Sequence, residues 1–138
     1  MNESIVKVGV GVMIFKEGKV LIGKRRGGTG AGAWAWPGGK LEFMESVTEC
    51  AKRETREEAG IEIGNIRFLR YLNFKEDDRH YADLALVADW VSGEPKVLEP
   101  AKCEQWIWAD PENLPQPVWS TIPSYLEALK TGRNYFDN

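Results

Sequence analysis

The chain has 138 residues, 43% of them hydrophobic, which is enough to bury one core and too few for two ordinary domains, so a single domain over residues 1–138 is expected. Its 21 acidic and 18 basic residues leave a formal net charge of −3, which excludes a protein that holds a nucleic-acid polymer by bulk charge; an anionic ligand must be gripped locally. No stretch approaches the ~20 apolar residues that span a bilayer, no basic leader with an apolar run opens the sequence, and Cys50 and Cys103 suit a reducing cytosol, so a cytoplasmic protein without a membrane partner is expected.

Residues 5 to 15 alternate, with Val6, Val8, Val10, Val12 and Ile14 on one face, and predict a strand. Gly9 and Gly11 share its other face and imply a close approach to the backbone, by a ligand or by a packed aromatic. Glu17-Gly18 marks a turn into a second strand, Lys19 to Gly23, pairing the two as a hairpin. A basic, glycine-rich segment, KRRGGTGAGAW, follows; it lacks the GxxxxGK[ST] of a Walker loop, but Lys24, Arg25 and Arg26 can meet phosphates.

Ser46 to Gly60 predicts a helix marked at both ends. Ser46 and Glu49 have capping-box spacing, and Gly60 suits the left-handed position that closes a helix. At ~100° per residue Val47, Cys50 and Ala51 face the core while Glu49, Lys52 and Arg56 face water. Glu54 and Glu58 then fall within the inward stripe, with Glu57 on its flank. Like charges one turn apart repel, and burial raises the cost, so a cation must compensate. Arg53 or Arg56 can serve as salt-bridge partners; a hard divalent ion, Mg²⁺ or Mn²⁺, also fits a cluster of carboxylates with no competing His/Cys set.

Further β-like runs cover Ile66 to Leu72, Tyr81 to Val91 and Gln105 to Ala109, with a turn at Ser92-Gly93-Glu94-Pro95. A second helix is expected from about Trp119 to Lys130, with Ile122, Leu126 and Leu129 on one face and Gly132 as its stop. Two helices and several strands out of regular alternation favour an α+β, mixed-sheet sandwich.

The segment GKLEFMESVTECAKRETREEAGI resembles the Nudix box: Gly39, Glu45, Arg53, Glu54, Glu57, Glu58, Gly60 and Ile61 fall in register, and Thr55 stands where an aliphatic residue is usual. The resemblance implies a mixed β-sheet sandwiched between α-helices. It implies metal ligation by Glu54, Glu57 and Glu58 with the Gly38 carbonyl, Arg53 orienting a catalytic carboxylate, and Glu45 as a secondary acid. Water attacks a phosphorus of a diphosphate, and the base is Glu57, Glu58 or a carboxylate from a later loop, for which Glu104 is preferred to Glu94 and Glu99. Segments outside the box, VGVGV, LIGKRRGGTGAG, HYADLAL and EPAKCEQWIWADPENLP, resemble the small nucleoside-triphosphate diphosphatases of this superfamily. That branch forms monophosphate and pyrophosphate, some members acting on oxidised guanine nucleotides, and is often homodimeric. Ala35, Trp36, Asp83, Trp119, Ser120 and Thr121 are the implied base contacts, beside Arg25 of the basic segment as an expected phosphate contact. Trp36 and Asp83 depart from the branch, whose usual residue at the latter place is a small hydroxyl, and leave base preference open. His80 is expected to be structural. The alternatives are another nucleoside-diphosphate-linked or isoprenyl diphosphate as substrate, or a non-catalytic nucleotide sensor.

Overall fold

The computed structural model of the chain describes residues 4–137; Met1 to Glu3 and Asn138, part of the expected domain, lie outside the described residues. Its elements are β1 (Lys7–Lys16), β2 (Lys19–Arg25), β3 (Trp34–Ala35), β4 (Gly38–Lys40), α1 (Val47–Ala59), β5 (Glu62–Glu76), β6 (Arg79–Ser92), β7 (Cys103–Ala109), α2 (Ile122–Thr131) and β8 (Tyr135–Asp137). The sheet runs in the order β3-β2-β1-β6-β5-β8, with β4 added to β1 and β7 to β2. β1 is parallel to β6 and antiparallel to β2 and β4, so the sheet is mixed. Among the described residues no helix is long and apolar enough to cross a membrane.

The two helices cover opposite faces, as an α+β sandwich requires. Val10, Val12 and Ile14 of β1 pack with Cys50, Ala51 and Ala59 of α1, small residues that let the helix sit close to the sheet. On the other face Met13 is fully buried with Ile122 and Tyr125 of α2, because β1 is a central strand covered on both sides. Val6, expected within the strand, precedes β1 and is 56% exposed. The glycines of β1 divide the two expected causes between them. A Cβ at Gly11 would run into the Tyr125 hydroxyl, whereas Gly9 lies beneath the Asp83 carboxylate and faces a pocket.

β1 changes partner along its length, and this creates the site. Phe15 and Lys16 pair with Val20 and Lys19 of β2, but Gly9 to Gly11 pair with Gly38 to Lys40 of β4. β2 meanwhile pairs with β7 and β3. A groove opens where the two pieces of sheet part, lined by residues of β2 and β3 on one side and of β1 and β4 on the other.

α1 has the expected ends: the Ser46 side chain accepts from the Glu49 N–H at 3.1 Å, and Gly60, at φ 71°, donates to the carbonyls of Thr55 and Arg56. Thr55 is fully buried, and its hydroxyl donates to the Ala51 carbonyl at 2.7 Å, which satisfies the polar group at the position that departs from the box. The runs expected at 66–72 and 81–91 lengthen into one long hairpin turning at Asp77-Asp78. α2 starts at Ile122 instead of Trp119, and its buried stripe is Ile122, Tyr125 and Ala128; Leu129 is 45% exposed because Tyr125 carries the contact with the sheet.

Candidate active site

Arg53 is the organising charge on α1. Its guanidinium takes Glu45 in a bidentate grip, at 2.6 and 3.1 Å, and also donates to Glu54 at 2.7 Å, Glu57 at 3.1 Å and the Lys40 carbonyl at 3.2 Å. This grip holds Glu45 well below the usual carboxylate range, at about 2. Arg56, the other candidate partner, pairs with Glu62 instead.

Glu54 and Glu58 line the groove together, while Glu57 is not among its lining residues and is half exposed and turned to Arg53. Glu58 Oε1 accepts from the Gly38 N–H at 3.1 Å. In the register of β4, Pro37 bonds back to β1, so Gly38 turns its N–H and carbonyl toward α1. Gly39 is equally constrained, since a Cβ there would collide with the Glu54 carboxylate. Burial pushes Glu58 up to about 9, with negative charge on Glu54 and Glu99 adding to the shift against the Gly38 N–H. Burial likewise raises Glu54, opposed by Arg53. Among the described residues no three Asp, Glu, His or Cys side chains converge as a finished cage. The donor set nonetheless fits a hard cation: burial and mutual charge disfavour the ionised forms of Glu54 and Glu58, a cation between them reverses that, and their carboxylate oxygens are the ligands such an ion takes.

The rest of the groove is basic. Lys24 and Arg25 of β2 and Arg26 just after it line the groove as expected, and Lys40 from β4 and Lys102, which no local pattern singled out, join them. Glu99 lines it near Glu58, whereas Glu104 lies outside it, paired with Arg26 at 3.8 Å. The structure places Glu99 in the groove in preference to Glu104, because the β2–β7 pairing shifts register at Glu104 and Cys103 and Trp106 take the groove side on either side of it. Trp106 lines the same stretch and donates to the Glu58 carbonyl at 3.2 Å.

The groove continues into a pocket of about 250 Å³ between β1, β6 and α2, lined by Arg25, Ala35, Trp36, Asp83, Trp119 and Thr121 among the expected contacts. Ser120 is exposed and faces a separate shallow groove with Pro123 and Phe136. Trp119 packs against Phe74 and beneath the Arg25 and Arg79 guanidiniums, 4.5 and 5.9 Å from its ring centroid. Asp83 accepts from Arg70 at 2.9 Å; burial raises its carboxyl and this partner opposes the shift. Arg70, fully buried, also donates to the Asp83 and Thr121 carbonyls and to Ser124, and stacks over Tyr125. Sequence reading missed it, since its partners come from another strand and from α2. His80 sits 2.6 Å from the Asn73 side chain, a structural contact on the β5–β6 hairpin.

A carboxylate-bearing helix beside a polar groove in a mixed-sheet sandwich defines the class of protein. The profile of the NUDIX domain matches residues 6–129, and the chain belongs to that family. It is 32% identical over 110 residues to the oxidized purine nucleoside triphosphate hydrolase of Danio rerio, a match covering 75% of this chain and 66% of that protein. It is 34% identical over 112 residues to the ADP-ribose pyrophosphatase of Methanocaldococcus jannaschii, covering 79% and 64%. The crystal structure of a MutT NUDIX hydrolase from Burkholderia pseudomallei superposes with a TM-score of 0.86 at 32% identity, covering 91% of this chain and 98% of that one. The chain thus spans just under two thirds of the length of the first two relatives.

Proposed function

We propose that the protein is a divalent-metal-dependent hydrolase, using Mg²⁺ or alternatively Mn²⁺, that splits a nucleoside triphosphate, including those with oxidised or modified bases, into monophosphate and pyrophosphate. The observation that carries this reading is one continuous groove, running from the Glu54/Glu58 pair past a basic wall to an aromatic pocket. The relative from Danio rerio, named as an oxidized purine nucleoside triphosphate hydrolase, points the same way.

Glu54, Glu57, Glu58 and the Gly38 carbonyl would hold the metal, which when bound neutralises phosphate charge and acidifies water. Arg53 orients the Glu54 and Glu57 carboxylates on α1 by donating to both. Lys24, Arg25, Lys40 and Lys102 hold the phosphate oxygens that the metal leaves uncovered. Glu58, or Glu99 facing it from the later loop, takes the proton of the attacking water as the bond to the leaving pyrophosphate breaks. Trp36 and Trp119 give the base an aromatic wall. A homodimer and a cytoplasmic location belong to the same reading, the second supported by unpaired Cys50 and Cys103.

A panel of canonical and oxidised triphosphates, nucleotide sugars and ADP-ribose, incubated with Mg²⁺, tests it. Monophosphate plus pyrophosphate from at least one triphosphate is expected. Release of inorganic phosphate alone, or binding of nucleotides with no product, contradicts it. Preferential cleavage of ADP-ribose would instead favour the second reading, a nucleoside-diphosphate-linked sugar, which the archaeal relative supports. Light scattering on the eluted protein tests the dimer.

A further inference from the structure

Glu58 is tied to both pieces of the divided sheet. Its carboxylate accepts from the Gly38 N–H of β4 at 3.1 Å, and its main-chain carbonyl accepts from Trp106 Nε1 of β7 at 3.2 Å. The second tie meets a need of the helix, because the last four carbonyls of a helix have no intrahelical N–H to accept. In α1 the Arg56 carbonyl takes the Gly60 N–H and the Ala59 carbonyl takes the Lys96 N–H, both main-chain donors. The Glu58 carbonyl takes a side-chain donor from a distant strand instead. Trp106 can reach it because its cross-strand partner on β2 is Gly23, where a Cβ would lie 2.6 Å from the indole ring. The ring thus lies across the Gly23 backbone and packs against the core that α1 shares with the sheet.

We infer that Trp106 is a positioning residue: by holding the Glu58 main chain it sets where the Glu58 carboxylate stands relative to Gly38, with Gly23 as its seat. This rests on the metal role proposed above for Glu54, Glu58 and the Gly38 carbonyl. Glu54 has a separate anchor, since Arg53 donates both to it and to the Lys40 carbonyl of β4. Loss of the indole N–H therefore loosens Glu58 and leaves Glu54 in place. Groups that orient a metal ligand in this way change metal affinity or turnover by about 10- to 100-fold when removed.

Trp106→Phe keeps an aromatic ring over Gly23 and removes the N–H. Mn²⁺ binding to the nucleotide-free protein is read from the electron paramagnetic resonance of the free ion, triphosphate turnover is assayed at saturating Mg²⁺, and thermal unfolding is followed in EDTA. The variant should bind Mn²⁺ about tenfold more weakly and turn over about tenfold more slowly, through kcat with the nucleotide KM little changed. The loss of one hydrogen bond should lower the melting temperature by no more than about 5 °C. Gly23→Ala, which pushes the ring from the other side, should give the same signature, and it carries the test if the first variant does not fold. Wild-type Mn²⁺ affinity and kcat in a folded variant overturn the inference, as does a loss confined to the melting temperature, which would make Trp106 a packing residue only. Weakened Mn²⁺ binding by the variant, in a protein whose wild type cleaves no triphosphate, would instead overturn the hydrolase reading and retain this one. A wild type that leaves all Mn²⁺ free overturns the metal role and this inference together.

Discussion

At position 39 a methyl group has nowhere to go but into the Glu54 carboxylate. Gly39→Ala should therefore push the Glu54 carboxylate aside while leaving the α1 backbone in place; on the proposed metal role this lowers kcat about 10- to 100-fold with the fold retained in thermal unfolding. Glu58→Gln removes the charge that a cation requires and should lower kcat by about 100-fold or more, while a folded circular-dichroism spectrum persists. Wild-type turnover by that variant would remove Glu58 from the site. On the other side of the groove, Asp83→Ala strands the fully buried Arg70 without its partner and should cost about 3–5 kcal/mol in urea unfolding. Much of the acidic cluster was legible because Arg53, Glu54 and Glu58 lie within one helical turn and a half, where spacing fixes direction. Arg70 and Asp83 were not readable as a pair. Thirteen positions and a hairpin separate them, and the last two of three irregularities in the β5–β6 pairing, before Arg67 and before Arg70, reset which face each side chain takes. Between Glu99 and Glu104 the choice depended on how a loop folds, and nothing local in the sequence encodes that.

Helix α1 owes its position to signals a few residues long. Ser46→Ala removes the acceptor for the Glu49 N–H and should cost about 1 kcal/mol by chemical denaturation. Thr55→Val restores the aliphatic residue usual in the box; the lost hydroxyl already serves only a helix carbonyl, so stability should change by less than about 1 kcal/mol. A loss well above that would mean the hydroxyl does more than satisfy itself. Caps and a 3.6-residue period extend over thirteen residues here, so α1 was read with its true ends. β3, β4 and β8 span two or three residues each, too few to show a period of two, and they exist only because neighbouring strands offer them partners. In α2 the expected stripe gave too much weight to Leu129; Tyr125, an aromatic at the adjoining position, supplies the buried contact.

Charge makes the whole molecule sensitive to pH in a direction set by Glu58. Its carboxyl is raised from 4.5 to about 9, so between these values the folded protein holds a proton that the unfolded chain has released. That contribution is present in acid and fades as pH rises toward 9. In chelator, the melting temperature should consequently fall across this window. Mg²⁺ should stabilise the fold increasingly as pH rises, because its binding requires the ionised form and displaces the proton. Calorimetric scans at fixed ionic strength, with EDTA and with Mg²⁺, measure both trends; a melting temperature in EDTA that rises steadily from neutral pH to 9 would contradict the assignment. Glu45 works in the opposite sense: lowered from 4.5 to about 2 by Arg53, it contributes stability above 4.5 that is lost as pH falls through 2.

The strand that leaves β2 for β4 halfway along its length makes the distance between the aromatic pocket and the Glu54/Glu58 pair a property of backbone pairing. One wall belongs to each piece of the divided sheet. Lengthening the shared stretch by a residue pair would narrow the gap, and shortening it would widen the gap, with every side chain in the groove unaltered. Reach, and with it the span of ligand that can be accommodated, is therefore adjustable through residues such as Phe15 and Val20 that never touch what is bound.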